Sequence, residues 1–192
     1  MIRYFVNIFK HNRNNYSEIE LFFRAMKSFR YHKARCTSCG AIGHLSAHDF
    51  YERDLIIYSH GIHIHKIKIQ RYICESCGHS HAIIPDMLIP YASYSLGCIL
   101  AALRSYIFRS LCNHTVSDVC DRYQIAVSTL YSWKKRFLSH KSLWLGAAAN
   151  IAVADADFLP EYPFCTELLS GFFRRFGFSF MQNHLASNSS VP

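Results

Sequence analysis

Cys36-Thr37-Ser38-Cys39-Gly40 and Cys74-Glu75-Ser76-Cys77-Gly78 are two copies of one motif, a CxxC pair closed by glycine. A tetrahedral ion such as zinc takes four soft ligands arriving from different directions. In each CxxCG turn two thiolates converge, backbone N–H groups can donate to sulfur, and glycine supplies the left-handed residue that closes the turn. Residues 40–73 lie between the pairs and alternate in β fashion, as a hairpin that folds the second turn back onto the first would. One CxxC could be redox chemistry or coincidence; two copies with matching glycines and a β insert predict a zinc ribbon with Cys36, Cys39, Cys74 and Cys77 as ligands. Four protein ligands leave no position for water, so the expected role is structural. His44, His48, His60, His63, His65, His79 and His81 surround the motif as substitute ligands, though surface or strand positions explain most of them. Cys98, Cys112, Cys120 and Cys165 read as small buried hydrophobes.

The rest of the composition sets bounds. The chain has 192 residues, 51% of them hydrophobic and 18% charged, with a net charge of +8; this is a folding chain of one or two small domains. A basic surface suits a polyanion. Between Leu21 and His48 there is no acid, while Arg24, Lys27, Arg30, Lys33 and Arg35 are present; Arg122 to Ala154 contains Lys134, Lys135, Arg136 and Lys141, also without an acid. Either run can be no more than a solvated face. Four thiolates and a divalent ion lower the working charge by two, and Arg35 and Arg71 stand close enough in sequence to offset that locally. The opening stretch is too interrupted for a signal peptide, and no apolar run approaches a membrane span. A cytoplasmic location with reduced thiols is expected, which favours metal over disulfides for paired cysteines.

Outward from the motif, Ser17 and Glu20 have capping-box spacing. A helix from Glu18 to Arg30 is predicted, with Ile19, Phe22, Phe23, Met26 and Phe29 inward. Residues Asp54 to Tyr58 and Ile62 to Ile73 predict strands around a turn at Ser59-His60-Gly61, and Pro85 and Pro90 mark a linker. Ser95 caps a helix reaching Leu111, with Leu96, Ile99, Leu100, Leu103 and Ile107 inward. The stretch TVSDVCDRYQIAVSTLYSWKKRF, Thr115 to Phe137, then reads as a helix-turn-helix. Thr115 and Asp118 form a capping box; Val116, Val119, Cys120 and Tyr123 face inward; Gln124 to Val127 turn, with Ile125 and Val127 inward; Ser128 caps the second helix. Leu130, Trp133 and Phe137 form its inner side. Thr129, Tyr131 and Ser132 are placed to face bases, and Lys134, Lys135 and Arg136 to face phosphates, with Lys134 nearer the flank. A plain helical bundle with a basic last helix has the same pattern.

The order of CTSCG, RYICESCG, IPDMLIPYASYS, the Thr115–Phe137 unit and FFRRFGFSFMQ resembles an uncharacterised bacterial family with a zinc ribbon and a helix-turn-helix related to those of transposases. The resemblance spans about residues 30 to 180 and implies DNA binding in association with mobile elements. Strand transfer needs three carboxylates around two metal ions, and after the helix-turn-helix only Asp155, Asp157, Glu161 and Glu167 remain, crowded together. The fold class expected is α+β: an N-terminal helical segment at 1–30, a zinc ribbon at 31–90, a homeodomain-like three-helix unit at 91–141, an aromatic-rich segment at 142–184 and a disordered tail at 185–192. The expected function is binding of double-stranded DNA by a transposase-related chain without the catalytic domain, and not an enzyme. The alternative is an interaction module that recruits a separate transposase, recombinase or polymerase. No P-loop, nucleophile motif or deaminase H-x-E signature is present.

Overall fold

The motif pairs are joined by a long hairpin, and the described helices pack against it. A computed structural model describes residues 1–4, 16–147, 176, 181 and 182. Strand β1 is Ile2–Tyr4; helix α1, Glu18–Ser28; then β2, Leu45–Tyr58; β3, Ile62–Cys74; β4, Ser80–Pro85; α2, Leu96–Ile107; α3, Val116–Tyr123; and α4, Val127–Ala147. The fold is α+β. Three antiparallel strands run β4-β3-β2, and β1 adds to β4 as a short parallel edge.

The hairpin is longer than its alternation suggests, because β2 starts at Leu45, opposite Cys74, and carries an irregularity between Ala47 and Phe50. Its turn falls at Ser59-His60-Gly61 as expected, with His60 in the left-handed region. One face of the hairpin is apolar: Leu55, Ile57, Ile67 and Ile69 are buried. On that face they join Ile99, Leu100 and Leu103 of α2, Val119 and Tyr123 of α3, and Leu130, Trp133 and Phe137 of α4 in one continuous core.

Pro85 to Pro90 is therefore no linker. Ile84, Met87, Leu88 and Ile89 are at most 1% exposed, and the segment crosses the middle of the core. Its backbone is tied down: Leu96 donates to Met87 O at 2.8 Å, and Gln182 Nε2 donates to Pro85 O and Leu88 O at 3.0 and 2.9 Å. Residues 93–95 add to β2, with Ile56 N donating to Ser93 O and Ser95 N to Ile56 O. A buried loop must have its polar groups paired in this way.

The helix starts follow from local chemistry. Ser17 and Glu20 form the capping box of α1, Thr115 and Asp118 that of α3, and Ser95 Oγ accepts from Cys98 N at the start of α2. Three inward assignments are corrected. Phe23 is 57% exposed while Leu21 and Ala25 are buried; Ile107 is exposed and Tyr106 takes its place; Val127 is exposed. Helix α2 ends at Ile107, before a 3-10 turn at Arg109–Cys112. Ser128 does not cap α4: Leu130 N donates to Ala126 O, so the cap falls two residues earlier, the helix begins at Val127 and Ser128 lies in its first turn. Asp155, Asp157, Glu161, Glu167, Cys165, the tail at 185–192 and most of the aromatic-rich segment lie outside the described residues.

Candidate metal centre

The two CxxCG turns have the same backbone. Cys36 N donates to Ala41 O at 2.8 Å and Cys74 N to His79 O at 2.9 Å; Gly40 N donates to Cys36 O at 3.0 Å and Gly78 N to Cys74 O at 2.7 Å. Gly40 and Gly78 sit at φ +80° and +71°. A β-carbon at either would meet nothing within 4 Å, so it is the left-handed conformation, and not lack of space, that calls for glycine. Glu75 N donates to His44 O and joins the second turn to the start of β2.

All four sulfurs lie within 4.8 Å of one another. The close pairs cross between the turns: Cys36 to Cys77 and Cys39 to Cys74, each 3.7 Å. A disulfide would stand at about 2 Å. Four sulfurs held about 2.3 Å from one ion at the tetrahedral angle stand about 3.8 Å apart. The donor set and its spacing thus fit a four-coordinate metal ion. Cys36 and Cys74 are buried, Cys77 partly so and Cys39 exposed. The inner pair joins a small apolar cluster of Ile2, Leu45, Tyr72 and Ile83, packed by Met26 and Phe29.

The field at the sulfurs is uneven. The backbone N–H of Cys39 holds the Cys36 thiol down, to about 5, against its own burial and with help from Ser38 N–H and His81. Cys77 has the N–H of His79, but burial and the neighbouring thiols of Cys39, Cys36 and Cys74 push it up to about 12. Thiols this close cannot all ionise without a cation between them.

His81 is a strand residue, as expected, but with a contact that its sequence position does not show. It is 2% exposed, with Nε2 at 3.2 Å from Cys36 Sγ and Nδ1 at 3.3 Å from both the Met1 amine and Thr37 Oγ1. The ammonium can only donate, so Nδ1 accepts and Nε2–H donates to sulfur. His81 is a partner of a sulfur and stands outside the four-sulfur group. Strand alternation carries the signal: His81 shares a face of β4 with Ile83, which packs against Cys36. Of the other histidines, His44, His48, His60, His63 and His79 are exposed and His65 half-buried. Arg71 does not offset the thiolates. It forms an ion pair with Asp49, which holds that carboxylate below its usual range. Cys98 and Cys120 are buried as expected, and Cys112 is exposed.

The residues expected to meet DNA lie apart from this centre, on α4. Ser132, Lys135 and Tyr131 are exposed and Thr129 is half-buried. Lys134 Nζ donates to Tyr106 OH at 3.3 Å and lies over that ring, in keeping with a flank position. Arg136 differs from its expected outward place: it is half-buried and donates to Met181 O at 3.4 Å, with burial lowering its pKa. Helix α4 turns its inner side to α2 and α3, where Trp133 meets the Tyr94 ring at 5.1 Å. Tyr94 OH donates to the carbonyl of Gln124, the left-handed residue that ends α3.

A family profile described as a domain of unknown function, DUF6431, matches residues 36–133. The chain belongs to this family. The matched span opens on Cys36 and closes on Trp133, so the family domain holds both the four-cysteine group and the start of α4. Met181, Gln182 and His140, beyond the matched span, complete the packing: Met181 N donates to His140 Nδ1 at 2.8 Å, and all three are buried. No curated protein and no solved structure matches the chain. Among the described residues, no helix is long and apolar enough to cross a membrane.

Proposed function

We propose that the chain is a zinc-ribbon, helix-turn-helix protein that binds double-stranded DNA, related to the DNA-binding regions of transposases and working without a catalytic domain of its own. The supporting observation is the α3–turn–α4 unit. A short capped helix, a turn through left-handed Gln124 and a second helix share a core with α2, while Ser128, Tyr131, Ser132 and Lys135 are left on the solvent side. Hydroxyls early in a helix followed by a lysine suit base edges and a phosphate respectively. Zinc is the ion that best suits four thiolates in a closed site, and its part is to hold the two turns together. The burial of Arg136 narrows the phosphate-facing set on α4 to Lys135, with Lys134 at the flank.

The test is binding of the zinc-loaded chain to duplexes selected from a random library, with affinity followed against salt. Lys135→Ala should weaken all duplexes and lower the salt slope by about one contact, whereas Ser132→Ala should relax preference at one base pair. Absence of duplex binding at low salt by a folded, metal-bearing chain would favour a module that recruits a separate recombinase or polymerase.

A further inference from the structure

Three arginines from three different elements open onto one cleft. Arg104 lies on α2, Arg109 in the 3-10 turn that follows, and Arg122 in the last turn of α3. The cleft has a volume of about 470 Å³ and is lined by these three together with His114, Phe108 and Tyr123. No carboxylate lines it. Among the described residues the ion pairs are Lys68–Glu52 and Arg71–Asp49, and neither involves these arginines.

Two of the three cationic groups are held in place. Arg109 Nη1 donates to Tyr106 O at 2.7 Å, with its guanidinium over that ring. Arg122 Nη2 lies 3.2 Å from His114 Nε2; a guanidinium can only donate, so Nε2 is the acceptor. The backbone of His114 donates in turn to Arg109 O at 2.9 Å, fixing the connecting loop between α2 and α3. Ser105 Oγ and Tyr123 OH, 2.9 Å apart, add hydroxyls to the lining. Arg104 is exposed.

We propose that this cleft binds an organic phosphate, a dianionic phosphate joined to a flat or apolar body. Guanidinium forks match phosphate oxygens in pairs. Asp118 feels the charge of Arg122 but is held by the Thr115 cap and does not line the cleft, so an anion that enters meets guanidinium groups and no carboxylate in the lining. The aromatic sides of Phe108 and Tyr123 suit the attached body, and the volume is in the range of small-molecule sites. A duplex backbone rides along a surface and does not enter a concavity of this kind, so a small ligand fits better than nucleic acid. The cleft adjoins the flank of α4, since Arg109 and Lys134 lie over the same Tyr106 ring, but no residue of α4 lines it.

Calorimetric titration of the full chain at fixed ionic strength tests this, with adenosine monophosphate, phenyl phosphate, inorganic phosphate and adenosine as probes. Saturable binding of at least one of the two organic phosphates is expected, tighter than inorganic phosphate, with no heat from adenosine. Arg104→Gln and Arg122→Gln should each weaken it at least about tenfold, the loss of a charge-assisted hydrogen bond, and both side chains are exposed enough for the variants to fold. Lys135→Gln, elsewhere on the helical unit, should bind as wild type. Silence from every anion, undiminished binding by both arginine variants, or an equal loss in Lys135→Gln would overturn the proposal. So would protection of the three arginines by duplex DNA alone, which would make the cleft part of a nucleic-acid surface.

Discussion

Glu18→Gln should make the protein more stable at pH 8 and leave it nearly unchanged at pH 4. Glu18 opens α1, and its carboxyl end is buried against the start of α2, where Ser95 is its hydrogen-bond partner and Gly97 leaves it room. Among the described residues Oε2 has no partner. Burial raises the carboxyl pKa from 4.5 to about 7, with the Ser95 hydrogen bond pulling weakly the other way. Between those values the native state holds a proton that the unfolded chain has released, so stability falls as pH rises through that window and levels off above about 7. At about 1.4 kcal/mol per pKa unit the full loss is about 3 kcal/mol. The positive end of α2 favours the carboxylate by up to about 2 kcal/mol, which makes 3 an upper bound. Glutamine keeps the shape and the hydrogen bond to Ser95 without the charge. Urea unfolding of both proteins at half-unit steps from pH 4 to 8 reads the difference directly. A wild-type-minus-variant difference that stays flat with pH, or a variant less stable at pH 8, would refute the assignment of a protonated buried carboxyl.

Further outcomes follow from the same packing. Freshly purified protein should carry one equivalent of metal, and Cys74→Ser should lose it together with protection of the β2–β3 base in hydrogen exchange; Cys98→Ala, Cys112→Ala and Cys120→Ala should each retain the full equivalent by elemental analysis. Trp133→Ala should cost roughly 3–5 kcal/mol in denaturant titration, as removal of a buried aromatic does, because the ring is 6% exposed in the core shared by sheet and helices. Arg136→Ala should lower the melting temperature and leave the salt dependence of duplex binding as in wild type, since its guanidinium serves Met181 O.

What was legible in the sequence was local. The CxxCG turns depend on residues within six positions of each other, and both took the expected form. The capping boxes at Ser17 and Thr115 and the cap at Ser95 are likewise decided by neighbours, as is the hairpin turn before Ile62. Apart from the start of α4, which Ala126 takes from its neighbour Ser128, the misreadings lie where distant partners decide. Pro85 and Pro90 carry the composition of a linker, yet the apolar residues between them fill the space between sheet and helices, and their carbonyls are met by Gln182 from nearly a hundred residues away. Ile2–Tyr4 has too few residues to show a period, and only the free edge of β4 makes it a strand. Tyr106 replaces Ile107 inside because its hydroxyl reaches Lys134, a polar exit that periodicity does not encode. Arg136 reads as surface until Met181 is brought beside it, and His81 reads as one of many histidines until β4 pairs with β3.

The most direct test of DNA binding is the salt dependence of affinity for a selected duplex, measured by fluorescence anisotropy for wild type and Lys135→Ala with metal content and folding verified in each. The expected result is a linear fall of log affinity with log salt, a slope shallower by about 0.9 in Lys135→Ala, and a selected duplex bound more tightly than random duplex at every salt concentration. Equal affinity for selected and random duplex, or no measurable binding at low salt by folded, metal-loaded protein, would contradict it.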